Sequence, residues 1–427
     1  MAEDPRLTSG FGAPASGVQS ASDRFRMIDL FAGCGGLTKG FVDARHKGSP
    51  VFTPVAAVEI DRAAAATYAA NFGPHVHNGD IADWVRRKQA IATADVVLGG
   101  PPCQGFSRLG SRDPLDKRNQ LWRHYLDVVA WVKPKVFVME NVDAFRKAPE
   151  FVLLVDETRP GGLLEDYIIR DAVVSAADHG VPQHRKRIIL VGARKDLVVA
   201  PGSQRRIDDL SELEQQALLI PDPTVRTPST VWGTISHLVL KKLDSTMANR
   251  RNEINGALIE GPFRMDELHL QRSGITARSK ERYATIPERG NRFDIPEHLL
   301  SPCWKKHRTG STDVMGRLFR DKPSVTIRTE FFKPEKGRYL HPWLDRPITH
   351  LEAALLQSFP EDYRWCGSRN EIARQIGNAV PVGLARAIAE HLAPLLLAQP
   401  RDRAIPALPP RAQRRVVKHT PSLVSAP

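Results

Sequence analysis

From residue 26 onward, short apolar runs alternate with longer stretches of helical spacing. Met27-Ile28-Asp29-Leu30-Phe31 reads as a strand and Leu37 to Ala44 as the helix after it. Val55 to Ile60 is the next strand, followed by an alanine-rich helix from Arg62 to Asn71. Val96 to Leu98 is a further strand, Leu121 to Val132 a helix, and Val136 to Met139 a strand. Tyr167 to Ala176 and Arg187 to Val191 read as an antiparallel pair that closes the series. Such alternation predicts an α/β fold with a doubly wound, mainly parallel sheet.

The periodicity fades after about Lys195. Residues 196–345 are rich in Pro, Arg, Thr and Gly and read as a second, smaller and irregular domain. Order returns over 346–397, with helices from Thr349 to Gln357 and from Val382 to Leu397. Residues 24–195 are then the first domain. The segments 1–23 and 398–427 are rich in small residues, Pro and Arg, and are expected to be flexible tails.

The chain has 427 residues and a formal net charge of +13, which points to a polyanionic partner. Its four cysteines, Cys34, Cys103, Cys303 and Cys366, lie far apart without the paired spacing of a zinc site. A disulfide framework and a metal site are therefore not expected, and a reducing cytoplasm fits. The acidic start is unlike a secretory signal, and no apolar run is long enough to cross a bilayer.

Two segments carry chemistry. The first, Ile28 to Gly36, is a strand running into a glycine-rich turn with Gly33, Gly35 and Gly36. A dinucleotide fingerprint needs glycine at position 38 as well, and Thr38 stands there. Glu59 ends the next strand, where an acid can accept both hydroxyls of a ribose. Asp80, in Asn78-Gly79-Asp80-Ile81, can accept from an adenine amine. An adenosine site without a pyrophosphate cradle results, which fits S-adenosylmethionine. The competing reading is a tight turn with two unrelated surface acids.

The second segment is Gly99-Gly100-Pro101-Pro102-Cys103-Gln104-Gly105-Phe106-Ser107. It mounts a cysteine at a strand end on a loop stiffened by two prolines. A nucleophile that must meet one carbon atom needs such a mounting. Cys34 and Cys366 read as packing residues.

With Glu140-Asn141-Val142, Gln183-His184-Arg185-Lys186-Arg187, Arg346-Pro347-Ile348-Thr349 through Gln357-Ser358-Phe359-Pro360, and Gln375 to Pro381, these segments stand in a fixed order. In that order the chain resembles the DNA (cytosine-5) methyltransferases of bacterial restriction–modification systems. The resemblance covers about residues 25–195 and 345–395. It implies that Cys103 attacks C6 of a flipped-out cytosine, that Glu140 donates a proton to N3, and that Arg185 and Arg187 serve the base, Glu140 and the loop. Two arginines alternating on one strand would share a face. The resemblance also implies a cofactor pocket in which Phe31 and Ile60 flank the adenine, beside Ile81, with Pro101 on its border. Asn378 and Val380 would fold back beside the glycine loop. Gly105 to Asn119, with Arg108, Arg112, Lys117 and Arg118, would be a loop that closes over the base. The segment 196–345 sits where the family keeps its target-recognition domain.

The implied partner is duplex DNA, bound by a monomer, with a cognate restriction endonuclease sharing the site. The rivals are a cytosine-5 methyltransferase acting on RNA and a non-catalytic DNA-binding regulator. Gly105 after Gln104 and the long second domain favour DNA. The intact Cys103, Glu140 and arginine pair favour an enzyme.

Overall fold

The computed structural model describes residues 24–87, 93–102, 121–306 and 309–400. Its first half runs β1 (Phe25–Leu30), α1 (Gly36–Asp43), a small hairpin of β2 (Arg45–His46) and β3 (Ser49–Pro50), β4 (Phe52–Glu59) and α2 (Arg62–Phe72). It continues with β5 (Val76–Asn78), α3 (Ile81–Arg87), β6 (Val96–Gly99), α4 (Leu121–Val132), β7 (Val136–Asn141), α5 (Pro149–Asp156), β8 (Tyr167–Ser175) and β9 (Lys186–Arg194). Seven of these strands form one sheet in the order β5-β4-β1-β6-β7-β9-β8. The first five are parallel, and β9 runs antiparallel to β7 and β8.

The central strands are covered on both faces, which is why they read as unbroken apolar runs. Successive residues point to opposite faces. Met27, Val96, Leu98, Val136 and Val138 enter one core with Leu37 and Phe41 of α1. Ile28, Leu30, Val97, Phe137 and Met139 enter the other with Trp122, Tyr125 and Leu126 of α4. The predicted α/β, mainly parallel sheet is what the chain forms.

The second half is built from short pieces: α6 (Glu212–Leu219), α7 (Val231–Ile235), the hairpin β10 (Arg251–Ile254) and β11 (Ala257–Glu260), α8 (Ala277–Thr285) and α9 (Pro302–Lys306). Most of its apolar side chains join α10 (His350–Leu356) and α11 (Arg369–Asn378) in one core. Tyr283, Ile286, Ile295, Leu299, Met315 and Leu340 make a separate small cluster. The final helix α12 (Val382–Leu397) returns to the first half and packs with α1.

Three sequence readings change. Between the two helices read in 346–397 stands a third, α11, and Gln375 to Asn378 form its end. The expected tail starts too early: Gln399 is buried, with Oε1 accepting from the Val198 amide at 3.0 Å and Nε2 donating to its carbonyl at 2.7 Å. The span Arg369–Leu397 is long and apolar enough to cross a membrane by composition. Here it is α11 and α12, and two thirds of its apolar window is buried inside the fold.

Candidate active site

The turn after β1 is shaped by left-handed backbone: Phe31 at φ 58°, Gly33 at 55° and Gly35 at 89°. That conformation is uncommon for a residue with a side chain, so Phe31 is held there by its surroundings. A Cβ on Gly33 would meet no atom of the described residues within 4 Å, so the turn faces space that they leave open. A Cβ on Gly36 would run into the Val380 carbonyl oxygen. The segment after α11 therefore does lie against the glycine turn.

Glu59, 9 % exposed at the end of β4, binds the turn from below. Its Oε2 accepts from the Gly33 amide and its Oε1 from the Asp61 amide, both at 2.7 Å. Burial pushes its carboxyl above the usual range, and those amides pull against the shift. With a third amide, that of Ile60, also acting on it, the carboxylate as a whole keeps lone-pair capacity for a further donor. Asp80 is exposed and its Oδ1 accepts from the Ala82 amide at 2.8 Å, at the start of α3. Ile81 and Pro101 are buried, while Ile60 is 70 % exposed beside Glu59. Asn378 is exposed and Val380 buried.

The departure at position 38 has a structural cause. The Thr38 hydroxyl donates to Oδ2 of Asp29 at 2.6 Å and lies 3.3 Å from the Tyr68 hydroxyl. Asp29 is wholly enclosed, and burial raises its pKa to about 7 despite the Thr38 bond. A third glycine would leave that carboxyl without its hydroxyl partner.

On the other side of the sheet's centre, Glu140 stands near the end of β7, 9 % exposed. It lies opposite Ile189 of β9, so Arg187, two residues earlier, shares its face. Arg187 Nε reaches Glu140 Oε1 at 2.8 Å. Oε2 lies over Gly100, 3.3 Å from where a Cβ would be. Asn141 donates from Nδ2 to the Pro101 carbonyl at 3.1 Å, tying β7 to the loop that leads to Cys103. Its part was not read from the sequence. The clue was present in the Glu-Asn pair at a strand end.

The two arginines differ. Arg185 precedes β9 and is 3 % exposed. Its Nη1 donates to the Ile327 carbonyl at 3.2 Å and the Gly377 carbonyl at 3.1 Å. Burial, with Arg187 second, pulls its pKa down to about 9. Only Arg187 is ion-paired to Glu140 among the described residues.

Cys103 and the Gly105–Asn119 loop, with its four basic residues, lie outside the described residues. Cys34 and Cys366 are enclosed, and burial raises the pKa of each thiol, that of Cys366 to about 12. Neither is poised as a thiolate. Cys303 is exposed. His179 is buried, with Nδ1 3.5 Å from the Thr224 hydroxyl.

A glycine turn and a strand-end carboxylate with its arginine, set along one edge of a parallel sheet, can now be compared with known proteins. The sequence profile of the C-5 cytosine-specific DNA methylases matches residues 25–393. The chain belongs to that family. Among similar DNA methylases is the Type II methyltransferase M.XorII of Xanthomonas oryzae pv. oryzae, 34 % identical over 398 residues, covering 87 % of this chain and 85 % of that one. The Type II methyltransferase M1.HphI of Haemophilus parahaemolyticus is 32 % identical over 371 residues, covering 85 % of each. Among solved structures, one from E. coli described as a DNA modification methyltransferase encoded within a prophage aligns with a TM-score of 0.61 at 25 % identity, over 87 % of this chain and 99 % of that one. The DNMT2 structure of Spodoptera frugiperda shares the fold, with a TM-score of 0.52 at 16 % identity over 86 % and 99 %. The chain is thus a DNA cytosine-5 methyltransferase, an enzyme rather than a regulator.

Proposed function

We propose that this enzyme methylates one cytosine within a short duplex site, through a covalent bond between Cys103 and C6, with S-adenosylmethionine as donor. The observation that carries the reading is the Glu140–Arg187 pair, tied through Asn141 to the peptide two residues before Cys103. The space that the described residues leave at Gly33 and the remaining acceptor capacity of Glu59 suit an adenosine with its ribose. Glu59 and Asp80 would hold it, with Phe31, Ile60 and Ile81 against the base, Gly35 and Pro101 on its border, and Asn378 and Val380 closing the far side. When bound, the cofactor supplies an electrophilic methyl group on a sulfonium.

A base inside a duplex is out of reach, so the cytosine is flipped out at a cost of roughly a few kcal/mol. The Cys103 thiolate adds to C6, and electron density moves toward N3 and O2. Arg187 occupies Oε1 of Glu140, which leaves Oε2 to pass a proton to N3. Arg187 also places positive charge where the carbonyl oxygen becomes more negative. C5, now nucleophilic, takes the methyl group. Loss of the C5 proton, cleavage of the C6–S bond and return of the N3 proton to Glu140 restore the ring, the thiolate and the acid.

The segment 196–345 would read the DNA sequence, as in a modification enzyme acting beside a cytoplasmic restriction endonuclease. A duplex with 5-fluorocytosine at the target tests the scheme, because fluorine cannot leave as the proton does. A stable adduct on Cys103 is the expected product. An adduct formed with RNA but not with DNA would overturn the substrate assignment, and one on another residue would overturn the mechanism.

A further inference from the structure

Two buried amides link the segment that carries Ile327 to the segment beside the glycine turn. Gln183 and Gln357 are both fully enclosed. Gln183 Oε1 accepts from the Ile327 amide at 2.9 Å. Gln183 Nε2 donates to Gln357 Oε1 at 2.8 Å. Gln357 Nε2 donates to the Ile376 carbonyl at 2.6 Å. The chain of bonds begins at a backbone N–H and ends at a backbone C=O. Neither group can change role, so the orientation of both side-chain amides is fixed. Gln183 Nε2 also donates to the Leu356 carbonyl at 3.3 Å, so turning Gln183 over would break three bonds, and turning Gln357 over two, in a dry interior where an unmade bond is costly.

Both ends of this chain lead somewhere. The carbonyl of Ile327 accepts from Arg185 Nη1, which also donates to the Gly377 carbonyl. The adjoining Ser324 pairs with the backbone on either side of Gln183, so the segment is stitched to the start of β9 next to the Glu140–Arg187 pair. At the other end, the Gln357 carbonyl accepts from the Val382 amide at 3.2 Å. Between Ile376 and Val382 lies Val380, whose carbonyl oxygen rests against Gly36. A continuous set of bonds therefore joins the proposed DNA-reading half to the wall of the proposed cofactor pocket.

We propose that Gln357 is a positioning residue that couples cofactor binding to the order of the Ile327 segment, acting through Gln183. It touches neither substrate nor cofactor. This rests on the cofactor reading above. Filling the pocket fixes Val380, hence Ile376, hence the amide pair, and so presents the 324–328 segment in one arrangement before DNA arrives. Coupling between sites is reciprocal, so DNA bound on that segment would tighten the cofactor by the same factor.

The test is backbone hydrogen exchange with S-adenosylhomocysteine as the probe, measured without DNA. In the natural chain, saturation should slow exchange of the Ile327 amide by roughly fivefold or more, the lower end of typical coupling. Gln357→Glu keeps the size but cannot donate to the Ile376 carbonyl. It should bind the probe by calorimetry with the slowing lost. Gln183→Glu, which still accepts from Ile327 but cannot donate to Gln357, should behave alike and serves if the first variant does not fold. Equal slowing in a variant that folds, or none in the natural chain with the probe bound, would overturn the coupling. A natural chain that fails to bind the probe at all would instead sink the cofactor reading.

Discussion

At the scale of single residues, position and burial decide what each polar group can do. Cys103→Ala should abolish methyl transfer while calorimetry still detects S-adenosylhomocysteine binding. Full activity in that variant would remove the covalent mechanism. Glu59→Ala should weaken that binding at least tenfold and leave the methylated sequence unchanged in bisulfite sequencing. Asp29 offers a pH test. Its carboxyl has a pKa of about 7 in the fold against about 3.9 in an unfolded chain. Between those values the folded state holds the extra proton, so stability falls as pH rises through the window, by up to about 1.4 kcal/mol per pH unit. Asp29→Asn, which can still accept from Thr38, should flatten that decline in denaturant titrations between pH 5 and 7. A decline of unchanged steepness would assign it to other groups. The sequence displayed Glu59, Asp80 and Glu140 because each ends a strand or opens a helix. It could not display Gln357, whose importance lies in partners 174 residues away at Gln183 and 19 away at Ile376.

At the scale of elements, the contact between α1 and α12 governs the back of the glycine turn. A Cβ on Gly36 would strike the Val380 carbonyl, and one on Gly40 would strike Ala385 and the Arg386 amide. Gly40→Ala gains up to about 1 kcal/mol of helix propensity but overpacks the helix pair, at a cost of roughly 1–3 kcal/mol. It should lower the unfolding midpoint and leave cofactor affinity intact. Gly36→Ala should lower both, because it displaces Val380, the wall of the proposed cofactor pocket; unaltered affinity would separate Val380 from that wall. Buried parallel strands and amphipathic helices were legible because their apolar spacing is their packing. β5 was not, since three residues show no period. α11 was not, because its polar first turns, starting Arg369-Asn370-Glu371, lead into Gln375 to Asn378, whose Gly and Asn imitate a loop.

At the scale of the whole molecule, a net charge of +13 implies binding governed by counterion release. Duplex affinity should fall by about 10³–10⁵ between 50 and 200 mM salt if six to ten phosphates are contacted. A shallow dependence would place the excess charge away from DNA. The mainly parallel sheet was legible from strand–helix alternation. The irregular half was legible only as irregular, because its side chains are buried by loops and by α10 and α11, not by a repeating face.

The sheet begins at Phe25, yet one wall of the turn it leads into comes from Val380. During synthesis the first strands leave the ribosome long before that wall exists, at about 5–20 residues per second. If Val380 also walls the proposed cofactor pocket, the enzyme would stay silent for nearly the whole of its own translation. A prematurely terminated chain ending before α12 would carry Cys103 and Glu140 and still lack the means to methylate. Methylation would then require a completed chain.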